Sequence, residues 1–267
     1  MKKVENLKEV IKQKYGEIAS QKQHSSCCKS CCCDSNEVYH IMDEDYTSLN
    51  GYNSDADMGL GCGLSTQYAN IRKGDTVIDL GSGAGNDCFI ARQEVGDSGQ
   101  VIGIDFTPEM IAKARENTRK KGFENIEFIE GDIENMPIPD NMADVVVSNC
   151  VLNLLPRKDK IFHEIFRVLK PGGHFCISDV VLNGKLPRIL SDAVELYVGC
   201  VAGAVTQEEY LNEIARAAFQ RIEIVKKKKI IIPDKILTGY QIAISTETFD
   251  QKSFEIYSIT VRGEKGV

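Results

Sequence analysis

The chain has 267 residues, of which 42% are hydrophobic and 27% are charged, and its formal net charge at pH 7 is −7. This composition is ordinary for a globular α/β protein, and the acidic balance (pI about 5.3) argues against nucleic acid as a partner, because no basic surface is available for phosphates. No apolar run approaches the roughly 20 residues of a membrane span, and the first residues show no secretory signal, so we expect a cytoplasmic protein without membrane contact.

The N-terminal region combines a predicted helix with cysteines and glycines. Residues 3 to about 20 have the apolar spacing of an amphipathic helix. Five of the ten cysteines then fall between Cys27 and Cys33, in polar surroundings. Residues 40–70 are predicted to be irregular. Within them the segment Gly59–Gly63 surrounds Cys62 with three glycines, which indicates backbone that approaches another group closely.

From Lys73 to Asp179, strands alternate with helices. This pattern predicts a Rossmann-like, doubly wound and mostly parallel sheet. Thr107 is the predicted N-cap of the second helix, and Gly122 is its predicted end. The predicted strands are Val77–Leu80, Val101–Ile104, Ile126–Ile129, Asp144–Ser148 and His174–Ser178, and the last helix of this region is predicted over residues 158–169.

Beyond Asp179 the alternation stops. Residues 188–203 read as a mostly apolar helix, and Thr206 to Glu209 form a capping-box start for a helix that continues to about residue 218. Two further strands are predicted at Ile222–Ile232 and Phe254–Val261, where they could extend the sheet. We therefore divide the chain into residues 1–70 (helix, cysteine-rich segment and substrate loop), 71–180 (Rossmann-like domain) and 181–267 (helices and sheet-extending strands that form a lid).

The segment Val77–Asp87 predicts the first ligand. It leads a strand into a helix through three glycines at alternate positions, which is typical of a loop that holds a nucleotide-like ligand. A dinucleotide fingerprint would place its third glycine at position 86, where the chain has Asn86, and this weakens a nicotinamide cofactor without excluding it. Asp105 suits two ribose hydroxyls, and Asp132 with Ile133 suits an adenine.

Several motifs occur in order: Asp79–Gly85, Asp105, Gly131-Asp132 and Leu169–Gly173. Together they resemble the class I S-adenosylmethionine (SAM)-dependent methyltransferases over about residues 72–180. The resemblance implies SAM as the cofactor. The residues it assigns to the SAM site are Asp79, Gly81, Ser82, Gly83, Gly85, Asp87, Asp105, Met110, Asp132, Ile133 and Asn149.

The sequence offers few candidates for a general base. Most small-molecule methyltransferases must remove a proton from the acceptor, and histidine is the commonest base for this purpose. The four histidines are His24, His40, His163 and His174, and only the position of His40 allows that role.

The cysteines are better placed than the histidines. Cys150 follows the fourth strand, Cys62 lies in the glycine-rich loop, and Cys200 ends the predicted helix beyond the sheet. Three thiolates from separate segments can enclose a soft, thiophilic ion, although a cysteine taken singly is more often a small buried core residue. We expect Cys88 and Cys176 to be core residues.

The segments Gly59–Gly63, Val147–Leu154 and Gly199–Ala204 narrow the resemblance to the arsenite methyltransferases, over most of residues 45–220. This resemblance implies that Cys62, Cys150 and Cys200 bind As(III). The family has a further N-terminal cysteine, implicated in early steps and in disulfide cycling. By position it maps onto Cys33, with Cys32 the next choice.

The resemblance also implies a mechanism and partners. The arsenic lone pair attacks the methyl group, so no general base is needed, and arsenite and methylarsenite are the expected substrates in a detoxification reaction. Methylation formally oxidises arsenic, so an internal disulfide or an external thiol such as thioredoxin or glutathione must restore the trivalent state. We expect a monomer. Alternatives are antimony as a substrate, an organic methyl acceptor, and a zinc- or copper-binding protein that uses Cys27–Cys33.

Overall fold

The structure, a computed structural model, describes residues 2–20, 44–184, 201, 203–231 and 254–267. In these parts of the chain one seven-stranded sheet has the strand order β3-β2-β1-β4-β5-β7-β6. Strands β1 to β5 pair in parallel, and β7 pairs antiparallel with both β5 and β6. The strands are β1 (Thr76–Leu80), β2 (Gln100–Asp105), β3 (Ile126–Glu130), β4 (Ala143–Asn149), β5 (Leu169–Gly184), β6 (Gln220–Ile230) and β7 (Phe254–Glu264).

The helices cover this sheet and confirm the Rossmann-like prediction. Within the described ranges they are α1 (Lys2–Ser20), α2 (Ser65–Tyr68), α3 (Asn86–Val95), α4 (Pro108–Lys121), α5 (Lys158–Val168) and α6 (Gln207–Arg216), with a short 3₁₀ turn at Leu152–Leu154. No helix among these residues has the length and apolar character needed to span a bilayer.

The pleat of β1 shows how the two faces of the sheet are covered. Side chains alternate between faces along a strand. Val77 therefore packs with Cys88 of α3 in one buried cluster, and Ile78 packs with Phe162 of α5 in the other. A strand buried on both faces reads as a continuous apolar run, as Val77–Leu80 does apart from its one acid.

The predicted helix ends agree with the structure. Thr206 Oγ1 accepts a hydrogen bond from Glu209 N, and the Glu209 carboxylate accepts one from Thr206 N, which completes the capping box of α6. Gly122 ends α4 in the left-handed conformation (φ 69°). Thr107 occupies the N-cap of α4 with extended backbone, but its side chain makes no cap hydrogen bond.

The fifth strand is much longer than predicted. It begins at Leu169 rather than His174, where Leu169 pairs with Ala143 of β4, and it continues to Gly184 because β7 pairs with it from His174 to Gly184. Gly172 N donates to Lys265 O (2.9 Å) and Lys265 N donates to Gly173 O (2.8 Å), which draws the Lys170–Gly173 turn into the strand. The domain boundary predicted at residue 180 therefore falls inside β5. The cysteine-rich segment and residues 188–200 lie outside the described residues.

Candidate active site

A cleft opens at the carboxyl ends of β1, β2 and β4, on either side of the point where the strand order reverses. Its empty space, counted together with the open solvent at its mouth, is about 810 Å³. The residues that line it are Tyr15, Tyr46, Ala56, Asp57, Met58, Leu60, Gly61, Asp79, Gly81, Ser82, Gly83, Ala84, Asn86, Asp87, Asp105, Phe106, Thr107, Met110, Asn149, Cys150, Val151 and Leu154.

The glycine loop forms one wall of the cleft. Gly85 (φ 97°) starts α3 in the left-handed conformation, and a Cβ atom there would lie 2.8 Å from the Phe128 ring. Asp105 holds the loop in place, because its carboxylate accepts hydrogen bonds from Gly83 N (3.0 Å) and Thr107 N (2.8 Å). Ser82 Oγ is buried without a partner among the described residues, and buried polar atoms are rarely left unpaired, so it points to a polar ligand.

Two carboxylates line the cleft, that of the buried Asp79 and that of the partly buried Asp87. Burial, followed by the charge of Asp87, raises the pKa of Asp79 well above its ordinary value. Burial also raises the pKa of Asp87 to about 6, although hydrogen bonds from Asn149 and Tyr46 act in the opposite direction. Cys88 Sγ donates to Asp79 Oδ2 (3.2 Å). Carboxylates whose pKa values are raised by burial favour a cationic ligand, and SAM carries a sulfonium and an ammonium group.

Most of the residues predicted to bind SAM lie in the wall of this cleft: Asp79, Gly81, Ser82, Gly83, Asp87, Asp105, Met110 and Asn149. Gly85 does not line the cleft, but it ends the loop and lies against the Phe128 ring. Asp132 and Ile133 are not among the lining residues. Asp132 Oδ2 accepts a hydrogen bond from Lys8 Nζ of α1 (2.7 Å), and Ile133 is buried in the hydrophobic core. Their assignment to the adenine stays a prediction.

A second group of side chains, which we call the thiol cluster, consists of Cys62, Cys150 and Asp179. The two Sγ atoms and one carboxylate oxygen of Asp179 all lie within 4.8 Å of one another, and all three residues are buried. Cys150 also lines the cleft, so the cluster and the cleft adjoin. Two soft thiolate ligands at this separation can bind one thiophilic atom.

Cys150 is fixed by the end of β4. It has a positive φ of 58°, which is uncommon for a residue with a side chain, and its N–H donates to Ser178 O of β5 (2.8 Å). The left-handed turn ends the strand at Asn149 and directs the chain away from the sheet. Such strained residues concentrate at functional sites.

Cys62 is fixed by contacts to three strands. Its N–H donates to Asn149 Oδ1 (3.0 Å), and its carbonyl accepts a hydrogen bond from Ser258 Oγ of β7. Gly63 is pressed against β5, since a Cβ atom there would lie 2.5 Å from Ser178 Oγ. A side chain at position 63 would clash with β5, which explains why this neighbour of Cys62 is a glycine.

Asn149 joins the cleft to the loop that carries Cys62. Besides receiving the Cys62 N–H, it donates through Nδ2 to Gly63 O (2.7 Å), to Tyr46 OH and to Asp87 Oδ2 (3.4 Å). Tyr46 OH also donates to Gly63 O (2.9 Å). Nothing in the sequence pattern marked Tyr46, because a lone tyrosine in an irregular segment carries no spacing signal.

The remaining cysteines divide into two groups. Cys88 and Cys176 are fully buried in the hydrophobic cluster around β1 and β4, which confirms their assignment to the core. Burial raises the pKa of Cys176 to about 12, so it remains a thiol. Cys200 and Cys33 lie outside the described residues, and their predicted roles stay predictions.

Neither histidine of the described part of the chain lines the cleft. His163 is exposed on α5, where its Nδ1 atom lies 2.7 Å from Asp159 O. His174 lies near the ends of the strands that are away from the cleft, and its Nε2 atom contacts Ala69 O (2.5 Å). His24 and His40 lie outside the described residues.

Comparisons with known proteins agree with this arrangement. Residues 71–218 match the family described as "Methyltransferase domain". The arsenite methyltransferase of Halobacterium salinarum is 42% identical over 84% of this chain and 60% of its own length, and that of Aquipseudomonas alcaligenes is 38% identical over 66% of this chain and 53% of its own. The chain thus spans little more than half the length of these relatives.

A solved structure is matched over a larger share of its own length. The crystal structure of CrArsM, an arsenic(III) S-adenosylmethionine methyltransferase from Chlamydomonas reinhardtii, is 33% identical and has a TM-score of 0.66. The match covers 77% of this chain and 68% of that one.

Proposed function

This chain belongs to the arsenite methyltransferase family, and we propose that it transfers methyl groups from SAM to trivalent arsenic bound by cysteine thiolates. The observation that carries the proposal is the buried pair of thiols, Cys62 and Cys150, next to the cleft. Methyltransferases that act on oxygen or nitrogen have no need of such a pair.

In this proposal the cleft binds SAM through its own polar groups. Ser82 Oγ and the Asp105 carboxylate are available to hydroxyl groups, and the charges of Asp79 and Asp87 attract a cation. When bound, SAM supplies an electrophilic methyl group. The protein contributes mainly position, and holding two reactants in line can supply about 7–11 kcal/mol of the barrier.

The thiols bind arsenite by ligand exchange. Each cysteine forms a sulfur–arsenic bond and passes its proton to a departing hydroxide, which leaves as water. Cys62 and Cys150 supply two sulfur atoms, and Cys200 is the proposed third ligand. The arsenic lone pair carries no proton, so this reaction needs no histidine base beside the cleft.

Further parts of the proposal follow from the same chemistry. An arsenic atom that carries one methyl group needs only two thiolates, so methylarsenite could remain on Cys150 and Cys200 for a second transfer. A thiol reductant, thioredoxin or glutathione, would return arsenic to the trivalent state, with Cys33 as the internal redox partner. We propose a monomer that acts in the cytoplasm and detoxifies arsenic, and trivalent antimony is a candidate second substrate.

The test is transfer of labelled methyl from SAM to arsenite by the full chain with glutathione present. We expect methylated arsenic with wild-type protein and none with Cys150→Ser, while calorimetry shows that SAM still binds. Cys176→Ser is the matched control, because it removes a buried thiol that lies in the hydrophobic core and is not part of the thiol cluster. Cys62→Ser should retain more activity on methylarsenite than on arsenite.

Two results would contradict the proposal. Full turnover of arsenite by Cys150→Ser would exclude the thiolate site. Transfer to a panel of phenols or amines, with arsenite left unmethylated, would indicate an organic acceptor and assign both cysteines to packing.

A further inference from the structure

The third member of the thiol cluster, Asp179, has no role in the function proposed above. It follows Ser178 on β5, where the strand passes the end of β4, and it is fully buried. Its carboxylate reaches within 4.8 Å of both Cys62 Sγ and Cys150 Sγ. Burying an ionisable group in an apolar core is costly, so a carboxylate at this position calls for a reason.

The partners of Asp179 favour its ionised form. Oδ1 accepts hydrogen bonds from Asn153 Nδ2 (2.8 Å) and Val180 N (2.9 Å), and Oδ2 accepts one from Tyr210 OH (3.2 Å). All three contacts have the carboxylate as acceptor, which is the pattern of a negatively charged group. Burial is the largest influence and raises the pKa of Asp179 to about 6, while the hydrogen bond from Val180 N and the positive charge of Lys158 act in the opposite direction.

The proposed reaction creates a charge at this location. Arsenic bound only by thiolates is neutral. As the methyl group transfers, the arsenic lone pair becomes the new arsenic–carbon bond, and the carbon–sulfur bond pair of the donor returns to sulfur. The positive charge therefore leaves the sulfonium and appears on arsenic. A fixed negative group beside arsenic stabilises the transition state more than the neutral starting state, which is the condition for catalysis.

We propose that Asp179 stabilises the positive charge that develops on arsenic during methyl transfer. The inference rests on the proposed function and adds an electrostatic group to its site. An arsenic atom bound to both Cys62 and Cys150 would lie between sulfur atoms that are each within 4.8 Å of the carboxylate oxygen. Asp79 and Asp87 line the cleft and attract the charge of the donor, whereas Asp179 lies with the acceptor.

Asp179→Asn in the full chain tests this role, because the amide keeps the size of the side chain and removes its charge. Single-turnover methyl transfer, with SAM and arsenite both saturating, should slow by about 10²-fold. Arsenite affinity, from equilibrium dialysis with arsenic determined by mass spectrometry, and SAM affinity, from calorimetry, should each stay within about threefold of wild type, because the two thiols and the cleft are unchanged. Dialysis is preferable to fluorescence quenching, since the chain has no tryptophan.

Asp97→Asn is the matched control. It makes the same acid-to-amide change at an exposed residue that pairs with Arg92 after α3, so we expect a transfer rate within about threefold of wild type. Asp179→Ser keeps the inference testable if Asp179→Asn does not fold, because it also removes the charge, and a wild-type transfer rate in Asp179→Ser would overturn the inference.

The outcomes separate the two proposals. A wild-type rate in Asp179→Asn overturns the inference and leaves arsenite methylation intact. A loss confined to arsenite affinity, with full rate at saturation, also overturns it, since Asp179 would then serve binding alone. Failure of the wild-type protein to methylate arsenite would overturn the proposed function itself, whatever residue stands at position 179.

Discussion

The cleft and the thiol cluster meet at Cys150, but the chain builds them in different ways. The cleft comes largely from residues that directly follow β1, β2 and β4, so short stretches of sequence determine its glycines and acids. The cluster depends on contacts between distant segments: Cys62 is held by Asn149, 87 residues away, and by Ser258, 196 residues away. Changes in one region should therefore affect one ligand, except at Asn149, whose side chain bonds to both regions.

Apart from substitutions of the thiols themselves, the largest effect is expected at Asn149. Asn149→Ala leaves the Cys62 N–H without its partner and removes the hydrogen bonds to Gly63 O and Asp87. Buried groups left unpaired cost about 1–3 kcal/mol each, so methyl transfer should fall by about 10³-fold. The affinities for SAM and for arsenite should both decrease in calorimetry and dialysis.

Asn183→Ala is the control for Asn149→Ala. Asn183 is exposed and its Nδ2 atom donates to Glu255 (3.2 Å), so its loss should leave both affinities unchanged. A decrease in only one of the two affinities in Asn149→Ala would show that Asn149 belongs to one region rather than joining them.

Gly63→Ala should weaken arsenite binding at the thiol cluster without changing SAM binding in the cleft. The added Cβ would lie 2.5 Å from Ser178 Oγ, so the loop with Cys62 must move away from β5. Overpacking costs about 1–3 kcal/mol, and arsenite affinity should fall by about 10- to 100-fold while SAM affinity is retained. In Gly122→Ala, where the Cβ meets nothing within 4 Å, both affinities should stay the same. Equal losses of affinity for SAM and for arsenite in Gly63→Ala would contradict the claim that the cleft and the thiol cluster can be changed separately.

Low pH should weaken the binding of SAM in the cleft. The pKa of Asp87 in the free protein is about 6, and a cationic ligand stabilises the ionised form. SAM affinity should therefore be constant above about pH 7 and should fall, by up to tenfold per pH unit, as Asp87 takes up a proton below pH 6. Calorimetry between pH 5 and 8 measures this, and Asp87→Asn should bind SAM weakly with a smaller slope.

The same shift has the opposite sign for stability. The pKa of Asp87 is higher in the folded than in the unfolded chain, so its charge destabilises the fold above pH 6, and this cost disappears as the pH falls from about 6 to 4. Asp87→Asn without ligand should be more stable at pH 7 by about 2 kcal/mol in urea unfolding. A less stable variant would mean that the hydrogen bonds of Asp87 outweigh its desolvation.

The smallest effect is expected at Ser258→Ala. It removes one buried hydrogen bond to the Cys62 carbonyl, which is worth about 1 kcal/mol, so arsenite affinity should fall by about fivefold. Exposed Ser98, which lies on a turn before β2, gives the control Ser98→Ala. If arsenite affinity is unchanged in Ser258→Ala, the hydrogen bond to Asn149 is sufficient to hold Cys62 in place.

The difference between the regions also explains how far the sequence could be interpreted. Strand alternation, the glycine loop and the capping box are local, and they predicted the sheet, Asp105 at the end of β2 and the start of α6. The extra length of β5 depends on its pairing with β7, which no local pattern contains. Likewise the ion pair of Asp132 with Lys8 depends on where α1 docks, and the periodicity of α1 cannot specify that.

The thiol cluster was predictable only in part. Cys62 and Cys150 stand out because cysteine is an uncommon residue and both lie near glycine loops or strand ends. Asp179 does not stand out: an acid after a strand is common, and only the tertiary structure brings it to the two thiols. Tyr46 and the bridging role of Asn149 were missed for the same reason.

Asn149 has one more consequence, which concerns cooperativity. It bonds Asp87 in the cleft and the backbone of Cys62 at the cluster, so a ligand that shifts this side chain alters the free energy of binding at the other site. Linkage makes that coupling reciprocal: the factor by which SAM changes arsenite affinity equals the factor by which arsenite changes SAM affinity. One amide group thereby couples the free energies of binding at the cleft and at the thiol cluster.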